Sequence, residues 1–186
     1  MYGVSVEALA KEYALSRDTV KKIVYAKQGR EELKFLPGVQ SAKEYNDSGL
    51  LEEWIHTYLL FERKSKEFSD GLYKEDRYYL GPLAMSLSMF VRSSGPVEGI
   101  KWQVHPEVFE DRVNAWREKI QGNQILPPVI VGYAEGVFEI NCNNPLFEAL
   151  LREGVTYFPV IMWTTRKPDY DDFVAKYAPY TEFVLK

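Results

Sequence analysis

Apolar residues recur along this chain with two different periods, and the changes between them mark its elements. Over residues 5–13, Val6, Leu9, Ala10 and Tyr13 share one helical face, with Ser5 placed as a cap. Ser16 caps a second helix whose inner side carries Val20, Ile23 and Val24. Pro37 and Gly38 close this region. In residues 50–61, Leu51, Trp54, Ile55, Tyr58 and Leu59 have the spacing of a buried amphipathic stripe, and the charged stretch 62–77 reads as a solvated loop. From residue 80 the strand signal takes over. Residues 83–92, LAMSLSMFVR, read as one apolar strand with a turn at 93–96. Pro106 opens a helix in which Phe109, Val113, Trp116 and Ile120 form a continuous stripe. Strands at 128–133 and 137–141 flank a short Ala-Glu-Gly turn as a hairpin. A helix over 145–153 stops at Gly154, a strand follows at 157–163, and a last helix at 169–177 carries Phe173, Val174 and Tyr177.

This order predicts an α/β (α+β) protein: a small mixed sheet with flanking helices, preceded by a helical N-terminal region. Three regions are expected: 1–36, a helical connector with a charged loop at 37–79, and a sheet domain at 80–186. Hydrophobic residues make up 46% of the 186 and aromatics 15%, enough to build a core and to exclude global disorder. No run approaches the roughly 20 apolar residues that cross a bilayer, and Met1 is not followed by a basic and apolar leader, so a cytoplasmic location and no membrane partner are expected. The single Cys142 allows no internal disulfide, and with His56 and His105 as the only histidines no metal centre is expected.

Charge changes the picture at the N-terminal end. The net charge is −4, yet residues 16–30 hold Arg17, Lys21, Lys22, Lys27 and Arg30 against Asp18 alone. Ala10, Ala14 and Leu15 supply the small contact residue, the small turn residue and the apolar follower that steeply crossed helices need. Residues 4–27 therefore resemble a helix-turn-helix of the resolvase or regulator type, with Ala14 at the usual turn glycine. Its outward residues Arg17, Asp18, Lys21, Lys22 and Tyr25 are candidates for DNA contact. The bland alternative is a solvated helix face.

The stretch ILPPVIVGYAEGVFEINCNNPLFEALLREGVTYFPVIMW resembles the ParB/sulfiredoxin-like domain, in which a "PPIIV" strand, a hairpin and "INDGNHRxEALRxxG" precede a "PVI" strand. The resemblance covers about 85 residues, among them Pro127, Pro128, Ile140, Asn141, Phe147, Glu148, Ala149, Leu150, Gly154, Pro159, Val160 and Ile161. In that family the Asp-Gly-x-His-Arg segment cradles nucleotide phosphates at a helix start. Here the corresponding residues are Cys142, Asn143, Asn144, Pro145 and Leu146, without the acid, the histidine or the arginine. The resemblance thus implies a catalytically degenerate ParB-like protein acting in DNA binding or regulation. The alternatives are a nucleotide-dependent kinase, nuclease or triphosphatase with an altered pocket, and a protein-interaction or homodimerisation module built on the aromatic-rich residues 50–90. In the enzyme version Arg92, Asn141, Asn143 and Asn144 hold a nucleotide with Mg, and Glu148 or Glu139 supplies the acid. Each has a structural counterpart: Asn144 as a helix cap before Pro145, Arg92 in a surface ion pair, Cys142 as a buried inert thiol and His105 as a cap.

Overall fold

β-branched and aromatic runs separated by tight turns assemble into a five-stranded mixed sheet with helices on both faces. The structure is a computed structural model that describes residues 33–181, so the expectations for residues 4–27, including Arg17, Asp18, Lys21, Lys22 and Tyr25, lie outside the described residues. The order is α1 (Val39–Asp47), α2 (Leu51–Thr57) running on into a π-helical turn (Tyr58–Glu62), α3 (Lys66–Tyr73), β1 (Tyr78–Ser86), a 3-10 turn (Leu87–Met89), β2 (Phe90–Arg92), β3 (Ser94–Gly95) and β4 (Trp102–Gln103). Then come α4 (Pro106–Gln121), β5 (Val129–Ala134), β6 (Val137–Cys142), α5 (Asn144–Arg152), β7 (Tyr157–Thr164) and α6 (Lys167–Thr181). The sheet runs β1-β7-β5-β6-β2, and β3 and β4 pair apart from it. β5 and β6 form the expected antiparallel hairpin, β7 runs parallel to β5, and β1 and β2 close the two edges.

Two expectations are corrected. The apolar run at 83–92 is not one strand: β1 pairs with β7 at one edge and β2 with β6 at the other. Leu87 lies in the intervening turn, 1% exposed and with its N–H bonded to Thr156 O, so apolar character continues through the break and conceals it. The charged loop at 62–77 contains a helix, α3. Its inner side is short, with Ser69 and Leu72 buried and Phe68 packed at the edge, while Lys66 and Asp70 pair on its outer side at 2.6 Å.

One sheet face carries Leu83, Met85, Val131, Phe138, Ile140 and Met162, covered by Leu146, Phe147 and Leu150 of α5 and Phe173 of α6. α4 packs on α5 through Phe109, Val113 and Ala149, the stripe its spacing predicts. The other face presents Ile130, Cys142 and Ile161, covered by Ala42 of α1, by Trp54, Ile55, Tyr58 and Leu59, and by Leu72 of α3. The apolar side chains of residues 50–61 are therefore mainly core, with Phe61 an exposed exception. Leu80 and Leu83 straddle a bulge in β1 where Gly81 has φ +130, and a Cβ there would stand 2.6 Å from Val160 O.

Candidate functional site

At the end of β6 the chain turns through Asn143, left-handed at φ 66 and ψ 33, and enters α5 at Asn144. Asn144 is the first helical residue rather than the cap before Pro145, and no side chain caps this helix. Its amide, 3% exposed, instead ties three segments together. Oδ1 accepts from the N–H groups of Ser93 (3.1 Å) and Ser94 (3.2 Å), and Nδ2 donates to Ile140 O (3.2 Å) and Ser93 Oγ (3.4 Å). Asn143 is equally buried, and its Nδ2 donates to Tyr58 Oη at 2.7 Å. Leu146 is fully buried, where an unpaired charge would cost several kcal/mol, on the order of the effective desolvation penalty of an ion. Pro145 brings no N–H to the helix start.

Arg92, at the end of β2, donates to Glu148 Oε2 at 2.9 Å and lies over the Phe109 ring, 5.4 Å from its centroid. Glu148 Oε1 accepts from Arg152, which also pairs with Glu110. The candidate cation and the candidate acid thus satisfy each other at this helix start. His105 occupies the cap position of α4 without a side-chain capping bond. Cys142 is buried, and burial pushes its thiol up despite a hydrogen bond from Arg63. Arg63 is a neighbour that only the fold supplies, because it arrives just after the π-helical turn from far along the chain.

On the opposite face, among the described residues, α1–α3 leave the rest of the sheet uncovered, and Gly132, Glu139, Asn141 and Trp163 floor an open cleft. Its two lobes, about 610 and 570 Å³, share Lys101, Glu139, Asn141 and Trp163. A bulge creates this floor. Ile130 pairs with Cys142 but Val131 with Ile140, so Asn141 is the extra residue, and Ile140 and Cys142 face opposite sides of the sheet. Trp163 Nε1 donates to Asn141 Oδ1 at 3.1 Å, Asn141 Nδ2 to Glu139 Oε1 at 3.0 Å, and Lys101 Nζ to the same oxygen at 3.0 Å. A Cβ on Gly132 would stand 2.6 Å from Asn141 Oδ1 and 3.2 Å from the Trp163 ring, so this floor requires glycine. Arg77 lies over Trp163, 4.8 Å from the ring centroid, and donates to Leu72 O, Gly71 O and Thr165 Oγ1.

Of the four expected nucleotide-pocket residues, only Asn141 lines this cleft, beside Glu139. Arg92, Asn143 and Asn144 serve the β6–α5 junction. Sequence reading missed Trp163, Trp102, Lys101 and Arg77. The available signal was Gly132, an isolated glycine inside an apolar strand, which marks a close approach or a bulge.

A third cluster lies under α2 and α3. His56, 1% exposed, has Nδ1 2.8 Å from Ser69 Oγ, its ring stacked on Tyr73 with centroids 3.5 Å apart, and Nε2 3.9 Å from Glu52 Oε1. The order serine, histidine, acid resembles a hydrolytic triad, but Ser69 has no exposed surface with which to reach a substrate. Burial drives the imidazole pKa down to about 3, against the opposing field of Asp70, so it is neutral at physiological pH.

Among the described residues no group of three or more His, Cys, Asp or Glu gathers to hold a metal ion, and no helix is long and apolar enough to cross a membrane. No protein-family model matches the chain, and no curated protein matches it. Among solved structures, the C-terminally truncated chromosome-partitioning protein ParB from Caulobacter crescentus, complexed with CTP-γ-S, aligns with a TM-score of 0.32 and 16% sequence identity. The alignment covers 55% of this chain and 53% of that one, so the chain spans about half the length of the protein it matches.

Proposed function

We propose that this chain is a catalytically degenerate ParB-like protein that acts in DNA binding or regulation, with residues 16–27 as its contact to the duplex. Support comes first from the start of α5. Asn144 is consumed by Ser93, Ser94 and Ile140, Arg92 by Glu148, and Leu146 by the core, so the helix end that would cradle phosphates offers neither a free cation nor a full set of N–H groups. A kinase, nuclease or triphosphatase working on a Mg-nucleotide needs that charge, because phosphoryl transfer is catalysed mainly by positioning and electrostatic stabilisation. Support for DNA comes from the five cations against one acid in residues 16–30 of an otherwise acidic chain.

The test is fluorescence anisotropy with labelled duplex DNA over a salt series. Affinity is expected to fall linearly on a log–log plot with a slope of about −0.9 per phosphate contacted. Lys21→Glu with Lys22→Glu is expected to abolish most of the binding while leaving the thermal midpoint unchanged. Equal binding by the wild-type and doubly substituted chains at low salt would remove the DNA reading.

A further inference from the structure

The cleft beneath the uncovered sheet face is unused by the function proposed above, and its chemistry points to one ligand class. Four carboxylates line its two lobes, Glu67, Glu135, Glu139 and Asp169, against three cations, Lys101, Arg77 and Arg166. All three cations are engaged: Lys101 by Glu139, Arg166 by Asp169 and Glu135, and Arg77 by two backbone carbonyls and Thr165. Among the described residues every cation of the lining is therefore already paired or hydrogen-bonded.

Two groups remain open to a visitor. Glu67, in the first turn of α3, has no ion-pair or hydrogen-bond partner among the described residues. Trp102 is 63% exposed on its two-residue strand, with no ring or cation on its faces among the described residues. Glu139 also keeps about a third of its side chain exposed. An apolar ligand would strip water from Glu67 without replacing it. A planar cation suits both groups, because it stacks on indole and forks across a carboxylate. The cleft already contains one example of this pairing, Arg77 over Trp163.

We propose that this cleft binds a guanidinium-bearing ligand, clamped by the Trp102 ring and by the carboxylates of Glu67 and Glu139. The guanidinium can come from a peptide arginine or from a free small guanidine. Lys101 limits the charge at Glu139 to that of a neutralised pair, which leaves Glu67 as the principal counter-ion and Trp102 as the stacking face.

The test is a titration of the full chain, following the Trp102 and Trp163 indole N–H resonances, with N-acetyl-arginine amide, agmatine, N-acetyl-lysine amide and CMP as probes. A saturable shift with either guanidinium probe, at least tenfold weaker with the lysine amide, is expected. A preference for N-acetyl-arginine amide over agmatine assigns a peptide arginine, and the reverse assigns a free guanidine. Trp102→Ala is expected to weaken binding roughly two- to fivefold, and Glu67→Gln with Glu139→Gln to abolish saturation, with an unchanged thermal midpoint as the control for folding. Trp102 and Glu67 are exposed whereas Glu139 lies on the floor, so the single variants Glu67→Gln and Glu139→Gln separate any loss of fold from loss of ligand. Shifts that never saturate, or that persist unchanged in the double variant, overturn the proposal. Tighter binding of CMP than of the arginine amide overturns it as well, by making the cleft an anion site.

Discussion

Replacing Asn144 by alanine separates its three candidate roles by magnitude. As a nucleotide ligand its loss would leave stability unchanged, and as a simple helix cap it would cost about 1 kcal/mol. In the structure its Oδ1 is the acceptor for the N–H of Ser93, a residue 4% exposed, and for that of Ser94, which is half-buried. Its Nδ2 serves Ile140 O, which keeps a second donor in Ser93 Oγ. Truncation therefore orphans one buried and one partly buried backbone donor. A buried unsatisfied donor costs roughly 1–3 kcal/mol and an ordinary hydrogen bond roughly 0.5–1.5, so Asn144→Ala should destabilise by about 2–4 kcal/mol. Urea unfolding at pH 7.5 and 25 °C, followed by tryptophan fluorescence and by circular dichroism, measures this as a fall in midpoint at constant m value. A loss below about 0.5 kcal/mol would refute the reasoning and return Asn144 to the list of free ligands.

His56 makes stability depend on acid. Its folded pKa of about 3 lies below the unfolded value near 6.5, so the unfolded chain takes up a proton first, and stability present above pH 6.5 is lost as the pH falls toward 3. Between pH 7.5 and 5 the loss should be about 2 kcal/mol, and urea titrations of His56→Gln should show a flatter profile over that window. Glu110, Glu153, Asp169 and Asp172, each held below the usual carboxylate range by a basic partner, add further loss only at lower pH. Gly132→Ala should force Asn141 off Trp163 and cost about 1–3 kcal/mol, with an upfield move of the Trp163 indole N–H as it loses its acceptor. An unchanged resonance would show that the strand absorbs the extra methyl elsewhere.

The sheet and its α5 face were legible because their signals are local. The 3.6-residue stripe of Phe109, Val113, Trp116 and Ile120, the hairpin turn at Glu135 and Gly136, and Gly154 after α5 each carry their own geometry. Leu87 hid a change of sheet edge because a buried turn is as apolar as the strands it joins. α3 was missed because its buried stripe is only Ser69 and Leu72, outnumbered by charges that face water. The departure from the phosphate motif of the family it resembles was legible residue by residue, whereas the contacts made by the residues that stand there were not. Asn144 to Ser93 and Arg92 to Glu148 join positions about fifty residues apart, and only the sheet order makes them neighbours. The cleft was invisible for the same reason: Glu139 and Asn141 are close in sequence, but Arg77, Lys101 and Trp163 reach them from three distant segments of the chain.

The most direct test of the proposed degeneracy is isothermal titration calorimetry of the full chain with CTP and with ATP in the presence of magnesium. No saturable heat is expected with either nucleotide at millimolar concentration, because Pro145 and Leu146 stand where the cradle needs a donor and a cation. A micromolar dissociation constant, about −8 kcal/mol of binding free energy, would contradict the account. It would show that a cation from elsewhere in the fold, with Arg63 the nearest to Cys142, has taken over the missing role.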